Sequence, residues 1–189
     1  KRAYGASCNG FFAKLAINEL GLGPILNMAT DFGWNNQPIP ADFYIPASPF
    51  NPPSPTNSSA HTVGKFAAGF GYVSLSAMHS AWQTMIIAND GIPRPLRLFE
   101  EELMPEHSSE PVLSKDQAER LRQIMKATVQ GGTATSTFRE RKFRRMRYRV
   151  GGKTGTLTGS HPKGLTTWFT GIYPIDKPEV VVSTVVLLD

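Results

Sequence analysis

Two short strings carry the side chains best suited to chemistry. Gly151-Gly152-Lys153-Thr154-Gly155-Thr156 places one cation, two hydroxyls and three glycines in six residues. On a strand, Lys153 offers a positive charge suited to a carboxylate. Thr154 and Thr156 can donate hydrogen bonds, and Gly155 has no side chain to block a ligand from the backbone. Ser7-Cys8-Asn9 sets a hydroxyl and an amide two residues apart where a helix should begin. Both could project into one cleft; equally, Ser7 could simply cap the helix with Asn9 in its first turn. Neither string is specific alone, since Lys-Thr-Gly arises by composition in roughly one chain in ten of this length.

The elements that must position them are legible from periodicity. Phe12, Leu15, Ala16 and Leu20 predict a helix from about Cys8 to Leu20, ended by Gly21 and Gly23. Pro24 then opens a second short helix carrying Ile25, Met28, Ala29 and Phe32. From Trp34 to about Lys65 the pattern dissolves into turns and extended pieces, with seven of the fifteen prolines between Pro38 and Pro55. A loop of that length is either a functional cover or a disordered insertion. Tyr72-Val73-Ser74 reads as a short extended piece. Ser76 then caps a helix with Met78, Trp82, Met85 and Ile86 on one face, closed by Gly91; His79 reads as a packed or surface side chain rather than a base. Pro93 to Phe99 reads as a short edge strand, followed by a solvated run, Glu100 to Glu102. Ser114 and Gln117 form a capping-box pair for a helix that buries Leu121, Ile124, Met125, Thr128 and Val129 and stops at Gly131-Gly132. Consecutive antiparallel strands follow from Lys153, with Pro174 to Pro178 as a hairpin connection.

Composition narrows the function classes. With 40% hydrophobic and 19% charged residues the 189-residue chain is globular, and no run approaches the ~18 apolar residues of a membrane span. No signal-peptide pattern opens it. Cys8 is the single cysteine and the four histidines are scattered, so neither an internal disulfide, a metal site nor a cofactor is expected. The net charge of +5 is concentrated: Arg139 to Arg149 holds seven basic residues and one acid, leaving the remainder near neutral. Arg145, Arg147 and Arg149 alternate with Met146, Tyr148 and Val150, the pattern of a half-buried strand. With one basic cluster and no groove-reading helix, nucleic acid is not the expected partner; such a face also suits anionic phospholipid or a cell-wall polymer.

Taken together, Ser7-x-Asn9 at a helix edge and Lys153-Thr154-Gly155 on a strand about 140 residues later resemble the penicillin-binding proteins, the serine D,D-transpeptidases of peptidoglycan synthesis. The resemblance spans the chain. Gly69 to Ser76, Ile87 to Gly91, Gly131-Gly132-Thr133-Ala134 and Trp168 to Pro174 are similar to the family's intervening stretches. It implies an α/β fold of the α+β type, an antiparallel sheet packed with helices as in β-lactamases. Residues 1–189 would then be the C-terminal part of a transpeptidase domain that continues beyond both ends. The family's nucleophilic Ser-x-x-Lys would lie upstream of residue 1, so this chain alone would be inactive. The string Ser160-His161-Pro162-Lys163 follows Lys-Thr-Gly instead of preceding it, on no helix, and is read as coincidence.

The resemblance further implies an acyl transfer on D-Ala-D-Ala stem peptides, with β-lactams as mimics. Ser7 would relay a proton to the leaving nitrogen, and Asn9 would hold the substrate amide and the nucleophile's lysine. Lys153 would supply positive potential, Thr154 and Thr156 would bind the substrate carboxylate, and the Thr156 N–H would be an oxyanion donor. Implied partners are stem peptides, β-lactams and other cell-wall synthesis proteins, on the periplasmic side of a bacterial inner membrane, with the anchor outside this segment. One alternative is a non-catalytic scaffold or β-lactam sensor on the same fold, without turnover; another is a D,D-carboxypeptidase or β-lactamase, which would use the same residues.

Overall fold

The computed structural model describes all residues except 36–38, 46–47, 55–56, 72, 99–109, 161–162 and 189. Tyr72, Phe99, the Glu100–Glu102 run and the His161-Pro162 part of the Ser-x-x-Lys string therefore lie outside the described residues. In chain order the helices are α1 (Arg2–Gly5), α2 (Asn9–Leu15) continued by a π-helical turn (Ala16–Leu20), α3 (Leu22–Asp31), α4 (Ala60–Ala67), α5 (Ala77–Ala88), α6 (Lys115–Gln130) and α7 (Thr135–Arg139). The strands are β1 (Gly151–Ser160), β2 (Lys163–Tyr173) and β3 (Val180–Leu188), an antiparallel meander in the order β1-β2-β3. The mixture of helices and antiparallel sheet is the expected fold class. The chain divides into two units: residues 1–7, 80–94 and 108–189, and residues 8–79 and 95–107.

In the first unit, α6 supports the sheet. The Ser114 side chain accepts from the Gln117 N–H and the Gln117 side chain accepts from the Ser114 N–H, so the expected capping box is present. The buried positions of α6 are Ala118, Arg122, Met125, Thr128 and Val129, one stripe at helical spacing. Met125 forms a core with Ile172 and Ile175, while Val129 packs with Ala134 and Val150. Arg122 is buried because its guanidinium donates to the Ile87 carbonyl at 2.8 Å and to Asp90 at 2.9 Å. Gly91 has φ +90° after α5, and a side chain there would run into the Leu113 backbone.

Three expectations fail instructively. Residues 141–149 form successive turns rather than a strand, with Met146 and Tyr148 exposed and Arg147 the half-buried one. The alternation was there, but the N–H groups of Phe143, Met146 and Arg149 each bond a carbonyl three residues back, leaving no ladder to a second strand. Thr135–Arg139 adds a short helix, α7, between the Gly131-Gly132 stop and the basic run, where no helix was expected. Between Pro93 and Phe99, the described residues make one isolated bridge, Leu96 to Ala41, because Pro93 and Pro95 cannot donate to a ladder.

In the second unit, α2 runs into the π turn and packs against α4. Gly64 permits the approach, since a Cβ there would sit 3.1 Å from Ile17 Cδ1 and 3.2 Å from Ala13 Cβ. The proline-rich loop therefore ends at Ser59, whose side chain caps α4 by accepting from the Thr62 N–H. A helix of eight residues interrupted by Gly64 gave too weak a periodicity to be seen. Phe50 stacks on Phe66 and Trp34 lies against His79, which is fully buried with Nε2 2.7 Å from the Phe32 carbonyl oxygen. His79 is thus packed, as expected. Ser76 caps α5 through the His79 N–H at 3.1 Å, although Met78 is exposed instead of facing the core.

Candidate active site

The site is built where α1, the end of α6 and β1 meet in the first unit. Two glycines set the geometry. A Cβ on Gly5 would lie 2.7 Å from the Ala127 carbonyl oxygen, and one on Gly132 would collide with the Gly5 carbonyl. Only glycine at both positions lets α1 lie on α6. The Thr133 N–H then donates to the Gly5 carbonyl at 3.0 Å and fixes the chain two residues before Ser7. Ser7 itself adopts φ +51°, the left-handed region that non-glycine residues seldom occupy, with its N–H bonded to the Tyr4 carbonyl at 3.0 Å.

This turn directs Ser7 toward β1. Lys153 Nζ donates to Ser7 Oγ at 2.7 Å and to the Thr154 carbonyl at 2.8 Å, and it lies 5.9 Å from the centroid of the Tyr4 ring. No carboxylate forms an ion pair with Lys153 among the described residues. Burial lowers its pKa below the usual lysine value. Burial also pushes the Tyr4 phenol up to about 12, so it is neutral beside the amine. A cation with a hydroxyl partner and an affinity for its proton weakened by desolvation can pass a proton through that hydroxyl.

On the pleat, Thr154 and Thr156 take the face opposite to Lys153 and Gly155. The Thr154 hydroxyl bonds the Thr133 hydroxyl, so Thr133 ties both halves of the site: backbone to α1, side chain to β1. In the sequence Thr133 is one residue of the Gly131-Gly132-Thr133-Ala134 stretch. Its position just after the glycine stop of α6 was visible, but its pairing with Thr154 depends on the fold. Gly155 has a reason beyond ligand access, because a Cβ would sit 3.2 Å from Trp168 Cβ on the paired strand. Thr156 is exposed opposite Thr167.

The structure therefore brings together Ser7, Lys153 and Thr154, with Gly155 and Thr156 continuing the same strand. Asn9 belongs to the other unit, where it is the first residue of α2 and exposed. Cys8 is the N-cap residue and α2 has no side-chain cap bond, so the Ser7 hydroxyl serves Lys153 rather than the helix.

The family model described as "Penicillin binding protein transpeptidase domain" matches residues 1–188. No curated protein sequence matches significantly. Among solved structures, the D,D-transpeptidase domain of a peptidoglycan glycosyltransferase from Eggerthella lenta is 28% identical with a TM-score of 0.74, covering 97% of this chain and 47% of that one. Penicillin-binding protein A from Mycobacterium tuberculosis, as an imipenem acyl-enzyme complex, is 24% identical with a TM-score of 0.78, covering 98% and 42%. A peptidoglycan glycosyltransferase from Burkholderia ambifaria is 22% identical with a TM-score of 0.77, covering 98% and 55%. The chain thus spans about half the length of these neighbours.

Proposed function

Because the chain belongs to the family of penicillin-binding protein transpeptidase domains, we propose that it forms one wall of a D,D-transpeptidase cleft that cross-links peptidoglycan through a serine acyl-enzyme. The observation that carries this reading is the 2.7 Å bond from Lys153 Nζ to Ser7 Oγ, made beside strand-borne threonines. The attacking serine belongs to the Ser-x-x-Lys helix of the complete domain, which lies outside residues 1–189. The chain is then the C-terminal part of that domain and does not acylate by itself.

In this mechanism the nucleophilic serine adds to the carbonyl between two D-alanines and its proton goes to the neighbouring lysine of Ser-x-x-Lys. Ser7 relays that proton from the Ser-x-x-Lys lysine to the leaving amine, and Lys153 stays charged and orients the Ser7 hydroxyl. Thr154 and Thr156 hold the terminal carboxylate, and the Thr156 N–H is one oxyanion donor. Asn9 holds the substrate amide. An amine from a second stem then attacks the ester and returns the serine. β-Lactams enter at the first step and stall at the ester. Such a domain works outside the cytoplasm, on the periplasmic side of the inner membrane, with other cell-wall synthesis proteins. Among the described residues no helix is long and apolar enough to cross a membrane.

The test uses the complete domain and a fluorescent penicillin. Acylation is expected with the wild type and is lost in Lys153→Ala, and incubation with a donor stem and an amine acceptor gives a cross-linked product with release of D-alanine. Undiminished labelling of Lys153→Ala would overturn the site. Hydrolysis without cross-linking would replace the transpeptidase by a carboxypeptidase, and absence of any acylation would leave a scaffold.

A further inference from the structure

The turns between α7 and β1 present a cationic surface that the transpeptidase reading does not use. Arg139, Arg141, Lys142, Arg144, Arg145 and Arg149 are all exposed. Among the described residues, the one ion pair within the run is Lys142 to Glu140 at 3.5 Å. The scaffold beneath is fixed. Phe143 faces Phe138, whose ring lies 6.0 Å from that of Phe169 on β2. Arg147, half-buried, donates to the Gln130 carbonyl at 2.5 Å and clamps the turns to the end of α6. Phe143 and Arg147 are half-buried, while the other cations of the run are exposed, with Lys142 over the Phe143 ring and Arg149 over the Tyr173 ring, each 4.8 Å from the centroid.

Two apolar side chains of the same turns are exposed as well. Tyr148 is 64% exposed and Met146 is 36% exposed. A soluble polyanion would neutralise the arginines and leave both in water. A bilayer interface rewards both components, since anionic headgroups attract the cations while the tyrosine ring and the thioether enter the headgroup boundary. The remainder of the chain is near neutral, so this face alone would orient it in a surface potential. We propose that the Arg139–Arg149 surface docks on an anionic phospholipid bilayer. This proposal does not depend on the transpeptidase assignment.

The test is co-sedimentation of the full chain with vesicles of phosphatidylcholine, alone or mixed two to one with phosphatidylglycerol. Binding is expected with the anionic vesicles only, and is lost as salt rises from about 0.1 M to about 0.5 M. Arg141→Gln/Arg144→Gln/Arg145→Gln should weaken it about a hundredfold, from about fivefold per cation. Tyr148→Ala should weaken vesicle binding several-fold and leave binding to double-stranded DNA or soluble polyphosphate unchanged. If the triple variant fails a thermal-unfolding check, the salt titration of the wild type still decides. Equal binding to neutral vesicles, salt-insensitive binding, or a folded triple variant that binds as well as the wild type would overturn the proposal. So would capture of DNA or polyphosphate without capture of anionic vesicles.

Discussion

Lys153 and the cations of residues 139–149 are neighbours in sequence and belong to the same unit, yet they are held in opposite ways. Lys153 is half-buried, bonded to Ser7 and Thr154, with its pKa lowered by desolvation. The six exposed cations stand in water, and their number compensates for the weakness of each. A single cation whose proton is loosened by burial can take part in proton transfer, whereas a crowd of solvated ones makes only a field. The difference comes from the backbone: β1 is locked to β2 and supported by α6, while the turns expose whatever side chains they carry.

The largest effect should come from unlocking β1. A Cβ on Gly152 would collide with the Thr170 carbonyl and lie 2.8 Å from Phe169 Cζ, so Gly152→Ala should cost about 3 kcal/mol, read as a fall in denaturant midpoint. An unchanged midpoint would mean that the ladder is not what holds Lys153. Next comes Ser7. In the complete domain, Ser7→Ala should slow penicillin acylation about a hundredfold with the fold intact. Ser7→Gly should slow it as much while raising stability by about 1 kcal/mol, because φ +51° suits glycine. Equal stability of the two variants would remove the strain from the account. Smaller still, Arg147→Ala should cost about 1 kcal/mol through its lost bond to Gln130, whereas Arg144→Gln should stay within about 0.5 kcal/mol. Comparable losses from both would erase the distinction between clamp and field.

Much of this architecture could be read before any coordinates. Ser114 and Gln117 announced α6 because a capping box is local chemistry, and the β-branched run after residue 180 announced β3. Lys153 and Ser7 were legible as types, whereas their 2.7 Å contact depends on the fold that brings α1 to β1. Residues 145–150 misled because alternation reports a strand only when a partner strand exists. Thr133 escaped because its meaning lies in two bonds, to Gly5 and Thr154, that no sequence spacing encodes. The glycines at 5 and 132 likewise look like ordinary punctuation until the close approach of α1 to α6 is seen.

The central claim is that Lys153 acts as a desolvated cation on Ser7, and the pH dependence of β-lactam acylation tests it most directly. Burial lowers the folded-state pKa of Lys153 below 10.5. The folded protein therefore releases this proton before the unfolded chain does, so the lysine's contribution to stability rises as pH climbs through the folded value toward 10.5. Acylation instead falls across the same window, because the positive charge is lost. The account predicts an alkaline limb in the acylation rate of the complete domain at a pH below 10.5 that is absent over that range in Lys153→Arg, whose side chain stays charged. An identical limb in Lys153→Arg, or no limb below 10.5 in the wild type, would contradict it.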